Sequence, residues 1–154
     1  MRILVSTDGS EFSRAAIEKC CQIVVEPQKT QIKIVSVYET IEPIDVIDAP
    51  LEYSQKLADS AHKQATEAAD EAAAAILEHF PQIDLSVQVS KGAPDEILIE
   101  TAREWEADLI VIGSHGRGFW ERMLLGSITD SLVHHAPCSV LVVKKVAESF
   151  GELQ

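Results

Sequence analysis

Cysteine is scarce in this chain: Cys20, Cys21 and Cys138 are the three among 154 residues. An odd number with two adjacent members makes no disulfide framework, and no Cys-x2-Cys or Cys/His spacing marks a zinc site. The three read as buried thiols of a reducing cytoplasm rather than as redox groups. Positive charge is scarce too, with 13 Lys and Arg against 25 Asp and Glu and a formal net charge of −12 at pH 7. Phosphate backbones demand basic patches, so this balance argues against a nucleic-acid-binding surface. The same field repels any small anion unless local groups overcome it. Long apolar runs are missing. Met1–Val5 begins like a signal peptide, but the run is short and Asp8 interrupts the chain soon after. No segment is apolar over the roughly 20 residues that a membrane span needs. There is no internal repeat, and the length suits one domain with a sizeable core.

What is present is a regular alternation. Five apolar runs have strand length: Ile3–Val5, Ile32–Val37, Leu85–Val89, Leu109–Ile112 and Val140–Val143. The first, fourth and fifth are nearly continuous, as suits parallel strands covered on both faces. Helical patterns lie between them. One is expected from Glu11 to about Val25, with Ser10 available as N-cap and Ala15, Ala16, Ile23 and Val24 among its apolar positions. The longest runs from about Leu51 to Phe80, between Pro50 and Pro81, with Ala65, Ala68, Ala69, Ala72, Ala73, Ile76, Leu77 and Phe80 as one stripe. A third follows Gly92-Ala93-Pro94, with Ile97, Leu98 and Ala102 inward. A fourth begins at Ser127, where Ser127-Ile128-Thr129-Asp130 has capping-box spacing. The expected fold is α/β: an open, doubly wound, Rossmann-like sheet of five parallel strands in the order 3-2-1-4-5, with helices on both faces. The domain is expected over residues 1–145, with 146–154 as a tail. Thr40–Ala49 reads as an irregular acidic connection.

In open α/β sheets, ligands bind beyond the carboxyl ends of the strands where the strand order reverses. Two strand ends carry suggestive residues. The first ends in Ser6-Thr7-Asp8-Gly9-Ser10 and the fourth in Gly113-Ser114-His115-Gly116. Asp8 can accept hydrogen bonds from a ligand, or it can serve as a turn residue for the helix that follows. Four of the seven glycines fall between Gly113 and Ser127, and three of them, Gly113, Gly116 and Gly126, form with Ser127 the pattern Gly-x2-Gly-x9-Gly-Ser. Gly113 and Gly116 would let backbone amides approach a ligand with no β-carbon in the way. Gly126-Ser127 would open a helix whose free N–H groups attract phosphate. The Ser127 hydroxyl can cap that helix, donate to a phosphate, or do one in each state. There is no Gly-Lys-Ser/Thr as in a Walker loop, and no Gly-x-Gly-x2-Gly after the first strand. On spacing alone, a glycine-rich loop without a ligand stays open beside the anion cradle.

Other constellations are weaker. Ser6, Asp8 and His115 suggest a hydrolase triad, but no Gly-x-Ser-x-Gly elbow occurs. His134-His135 suit the negative end of the fourth helix better than a metal site. The carboxylates between Glu39 and Glu52 read as a solvated flap, with divalent-ion binding as the other reading. A phosphoryl-transfer enzyme needs a placed nucleophile or water activator, and no residue is assigned to that task, so a binder is favoured over a slow ATPase or nucleotide-transfer enzyme. A nucleotide-free protein-interaction module is the other alternative.

The stretches ILVSTDGSEFSRAAIE, SKGAPDEIL and ADLIVIGSHGRG…LLGSITDSLVHHAPCSVLVVK resemble the universal stress protein family, and the complete glycine pattern resembles its ATP-binding branch. The resemblance runs from Arg2 to Lys145. It implies a cytoplasmic homodimer paired through Val140–Val143, binding ATP, ADP or AMP and acting as a nucleotide-dependent sensor or adaptor with a further protein partner. It places Ser6, Thr7 and Asp8 near adenine and ribose, and Val37 against the base. Gly113, Gly116, Gly126 and Ser127 would line ribose and phosphates, with amides of Ser114, His115 and Ile128 contributing. Arg117 and Arg122, together with a bound Mg2+, could offset the phosphate charge, or both could be solvated loop residues. Phe119-Trp120 is bulkier than the family's usual residues there. Packing on the loop is the first reading for Trp120, beside shielding a nucleotide or joining a dimer contact. Gly118 has no assigned role.

Overall fold

The computed structural model describes residues 1–40, 51–117 and 125–145. The connection 41–50, Gly118, Phe119, Trp120 and Arg122, and the tail 146–154 lie outside them. Five strands run parallel in one sheet: β1 (Arg2–Ser6), β2 (Gln31–Tyr38), β3 (Asp84–Lys91), β4 (Leu109–Gly113) and β5 (Ser139–Val143). Their order is β3-β2-β1-β4-β5, as expected. Ile3 pairs with Ile32 on one side and Leu109 on the other, which puts β1 at the centre of the sheet. The strands reach one or two residues beyond their apolar runs, because ladder pairing continues through polar residues such as Gln31 and Asp84.

Four helices cross over between the strands: α1 (Glu11–Ile23), α2 (Leu51–His79), α3 (Pro94–Glu104) and α4 (Ser127–His135). None of the described helices is long and apolar enough to cross a membrane. Helix α1 opens at Ser10, whose hydroxyl accepts from the Ser13 amide at 3.2 Å. It stops at Ile23, short of Val25, with Val24 extended. Pro27 opens a 3₁₀ turn over Pro27–Lys29 and disfavours helix at the residue before it, so the chain unwinds early.

Each central strand buries both faces. Ile3, Val5, Ile32, Ile34 and Val111 pack against Ala16, Ile17 and Cys20 of α1 and Ala69, Ala72 and Ile76 of α2. On the other face Leu4, Val35, Ile110 and Ile112 meet Leu98 and Ala102 of α3 and Leu132 of α4. This two-sided burial is why β1 and β4 read as continuous apolar runs. At the edge, β5 is less covered: Ser139 is exposed, Val140 to Val142 are half-buried and Val143 is buried.

The alanine stripe is real with one correction. Ala65, Ala68, Ala69, Ala72 and Ile76 are buried, but Leu77 is 40% exposed. Successive residues point about 100° apart around a helix, so burying Ile76 turns Leu77 aside. Cys20 and Cys21 are buried free thiols. Burial, helped by neighbouring Cys21, pushes the Cys20 thiol up to about 12.

Candidate functional site

The strand order reverses between β1 and β4. The connections after them leave toward opposite faces, because α1 packs on one side of the sheet and α4 on the other. A crevice opens between two such connections. Here it is a cavity of about 300 Å³ at the carboxyl ends of the strands. Ser6, Thr7 and Asp8 enter it from β1, Val37 from β2, Gly113, His115, Gly116 and Arg117 from β4, and Gly126, Ser127 and Ile128 from the start of α4. Residues separated by more than 100 positions thus share one wall.

Ser114 is the predicted residue that does not line the cavity. It is 2% exposed, its amide donates to the Val143 carbonyl at 2.8 Å, and its carbonyl accepts from the Gly126 amide at 2.9 Å. Its hydroxyl lies 3.0 Å from His115 Nδ1. Ser114 therefore ties β4 to β5 and to the mouth of α4.

The glycines have different reasons. A β-carbon at Gly113 would sit 2.7 Å from the backbone carbonyl of Phe12, so its missing side chain admits helix α1 while its backbone lines the cavity. At Gly116 a β-carbon would lie 3.0 Å from Asp8 Oδ2, and at Gly126 it would meet the Ser114 carbonyl at an ordinary 3.4 Å.

Asp8 is both a turn residue and a cavity wall. Its Oδ1 accepts from the Ser10 amide at 2.9 Å, and its Oδ2 accepts from the Arg117 amide at 2.9 Å. The carboxylate thereby joins the β1–α1 turn to the chain leaving β4. Burial alone would raise its pKa, but hydrogen bonds from Ser10, the Arg117 amide and Ser13 outweigh it, and the pKa is lowered. Asp8 is ionised at neutral pH and acts only as an acceptor. His115 stands beside Ser114 and against the Phe12 ring, with centroids 5.3 Å apart, so Asp8 and His115 have separate partners.

The capping box at α4 does not form. Gly126 is the N-cap and makes no side-chain capping bond, while Ser127 is the first helical residue. The Gly126 amide donates to the Ser114 carbonyl, and the helix begins at Ser127 as expected, with the cap one residue earlier than the capping box requires. The first intrahelical bond runs from the Asp130 amide to the Gly126 carbonyl at 2.9 Å. The Ser127, Ile128 and Thr129 amides precede it and form the positive end of the helix.

Four further residues line the cavity: Ser13, Pro94, Ile112 and Thr129. The Ser13 hydroxyl accepts from Thr7 at 3.3 Å, and the Thr129 hydroxyl donates to the Gly113 carbonyl at 3.0 Å. Sequence signals existed for both, three residues after the Ser10 cap and two after Gly-Ser, but nothing local showed which way they point. Pro94 and Ile112 come from helix and strand ends that only the fold brings near. Arg117 directs its guanidinium away along α2, where Nη1 donates to Gln64 Oε1 at 3.0 Å. Among the described residues no group of three or more His, Cys, Asp or Glu converges as a metal site. His134 Nδ1 lies 2.8 Å from the Asp130 carbonyl one turn back.

Known proteins share this fold. The family model of the universal stress proteins matches residues 1–144. Universal stress protein MJ0531 of Methanocaldococcus jannaschii is 29% identical over 144 residues, covering 94% of this chain and 82% of that one. Universal stress protein UspA from Lactobacillus plantarum superposes with a TM-score of 0.72 at 26% identity, covering 93% of this chain and 97% of the other. A universal stress protein solved in complex with cAMP gives a TM-score of 0.66 at 27% identity, covering 93% and 96%. The family match spans every strand, and both connections that wall the cavity fall within it. This chain belongs to the universal stress protein family.

Proposed function

We propose that the cavity binds an adenine nucleotide, ATP first with ADP or AMP as alternatives, and that the protein acts as a homodimeric nucleotide-dependent sensor or adaptor in the cytoplasmic stress response. One observation carries the reading: a single cavity joins an ionised acceptor, Asp8, to the amide-bearing start of α4. Asp8 repels phosphate and accepts from ribose hydroxyls or the adenine amine. The α4 amides take the phosphate at the opposite end. Val37, Pro94 and Ile112 offer apolar contact for the base. The volume falls at the lower end of the roughly 300–1,000 Å³ usual for ligand sites. The relative complexed with cAMP supports a nucleotide of this class. Mg2+ bound with the phosphates would offset triphosphate charge in a chain of net charge −12.

The dimer reading rests on β5, an edge strand with half-buried Val140, Leu141 and Val142. Pairing it with its mate would remove an exposed apolar edge. The domain is taken as residues 1–145, with 146–154 outside it.

The test is direct. Purified protein is denatured and the released small molecules are identified by mass spectrometry, with ATP titrated into emptied protein by calorimetry. Recovery of an adenine nucleotide with saturable heat is the expected result. The reading is falsified if no nucleotide is released and no binding heat appears.

A further inference from the structure

Arg117 was a candidate phosphate ligand, yet its side chain is already seated elsewhere. Its guanidinium lies over Gly9, where an added β-carbon would come within 2.9 Å of Nη2 and 3.3 Å of the Ala68 β-carbon. Gly9 has φ +76°, so its turn requires glycine, and the missing side chain leaves the slot that the guanidinium fills. Ala68 of α2 forms the floor, Gln64 accepts from Nη1 at 3.0 Å, and Glu67 and Glu71 line the same hollow. At its other end the same residue donates its backbone amide to Asp8 Oδ2 at 2.9 Å. One residue thus links three elements: the turn after β1, helix α2 and the chain leaving β4.

From this we infer that Arg117 is a positioning residue, whose guanidinium, anchored on Gln64 over Gly9 and Ala68, holds its own amide on Asp8 and so sets the acceptor end of the cavity. It acts through Asp8 and Gly116 and does not touch phosphate. The inference rests on the nucleotide reading of the cavity. It separates two roles that a basic residue after Gly116 could have. A phosphate ligand contributes only when phosphate is present, whereas a strut contributes to every ligand that uses Asp8, including an uncharged nucleoside.

Adenosine and ATP are therefore both titrated into wild type, Arg117→Ala, Gln64→Lys and Gln64→Glu. Gln64 is exposed and lines no part of the main cavity, so its variants leave the binding wall intact. Arg117→Ala is expected to weaken adenosine and ATP by the same factor, about three- to tenfold, the scale of one hydrogen bond. Gln64→Lys repels the guanidinium and should weaken adenosine similarly. Gln64→Glu pairs with it and should retain adenosine binding. A loss confined to ATP in Arg117→Ala, or tighter ATP binding by Gln64→Lys with adenosine unchanged, would make Arg117 a phosphate ligand and overturn the proposal. Hydrogen exchange in ligand-free protein gives a second readout. The Arg117 amide should exchange faster in Gln64→Lys than in wild type, and an unchanged rate would sink the strut. If wild type binds neither adenosine nor ATP, the nucleotide reading fails, while the exchange experiment still decides whether Arg117 is anchored.

Discussion

At the amino-terminal end of the sheet, Arg2 reaches Glu106, the Trp105 carbonyl and Gln31 at 3.0, 3.1 and 3.2 Å, and its amide donates to Asp108 at 2.7 Å. Gln31 passes the chain of contacts on to Asp84 at 2.5 Å. At the carboxyl-terminal end, Asp8 is met by backbone amides of Ser10 and Arg117, and the first helical turn of α4, from Ser127, lies at the same cavity. Both ends have hollows, about 640 Å³ at the amino end and about 300 Å³ at the carboxyl end. Size therefore does not mark the site. The amino end adds a side-chain ion pair, Arg2 with Glu106, to its backbone contacts. The carboxyl end holds its carboxylate with backbone amides from two separate segments beside the start of α4. A half-buried carboxylate that backbone amides hold in place can still accept from a ligand, because it has more lone pairs than those two bonds use.

The largest expected effect breaks the carboxyl end outright. Gly113→Val places a first side-chain carbon 2.7 Å from the Phe12 backbone, which cannot rotate away. It should lower unfolding free energy by about 3 kcal/mol or more, read as a reduced urea midpoint. Gly126→Val is the counterpart, because its first side-chain carbon has an ordinary 3.4 Å contact. This variant should stay folded by circular dichroism and sediment as wild type does, yet lose ATP binding by tenfold or more, about 1.4 kcal/mol. Survival of binding would mean that phosphate is not held at the start of α4.

Asp8→Asn tests the electrostatics of the same end. The folded-state pKa of Asp8 is lowered, so its contribution to stability is fully present above the ordinary value near ~3.9 and is lost as pH falls through the lower folded value. The variant should be less stable at neutral pH, and its urea midpoint should fall less steeply below about pH 4. An acid limb identical to wild type would show that the hydrogen bonds to Asp8 are energetically idle. The smallest effect on the site belongs to the amino end. Arg2→Ala removes an ion pair whose side chains are 41% and 82% exposed, together with hydrogen bonds to Gln31 and the Trp105 carbonyl, so it should cost about 1–2 kcal/mol in urea unfolding. Nucleotide affinity should not change. A drop in affinity would erase the distinction between the two ends.

Much of the fold was legible because it depends on local pattern. Continuous apolar runs marked β1 and β4, Ser10 marked the start of α1, and the alanine repeat marked the buried stripe of α2. The misreadings share a physical cause. Ser127 looked like a cap, but Gly126, whose amide is bonded to the Ser114 carbonyl, is the N-cap and Ser127 is the first helical residue. Gly113 lines the cavity as expected, but the missing side chain that looked like a clearing for a ligand makes room for the backbone of Phe12. Each depends on a partner brought in from outside the local segment, which periodicity and spacing do not register.

By itself the sequence determined the order of strands and helices, the glycine spacing at the fourth strand's end and the family resemblance, because hydrophobic period, turn residues and motifs are local properties of the chain. Tertiary structure alone decided which polar groups are already engaged. Ser114 turned out to bind Val143, Arg117 to reach Gln64, and Asp8 to hold the Arg117 amide across 109 positions. Those pairings follow from where β1, β4 and α2 come together. Hydrogen bonding is short-ranged in space and indifferent to distance along the chain, so only the folded arrangement selects the partners.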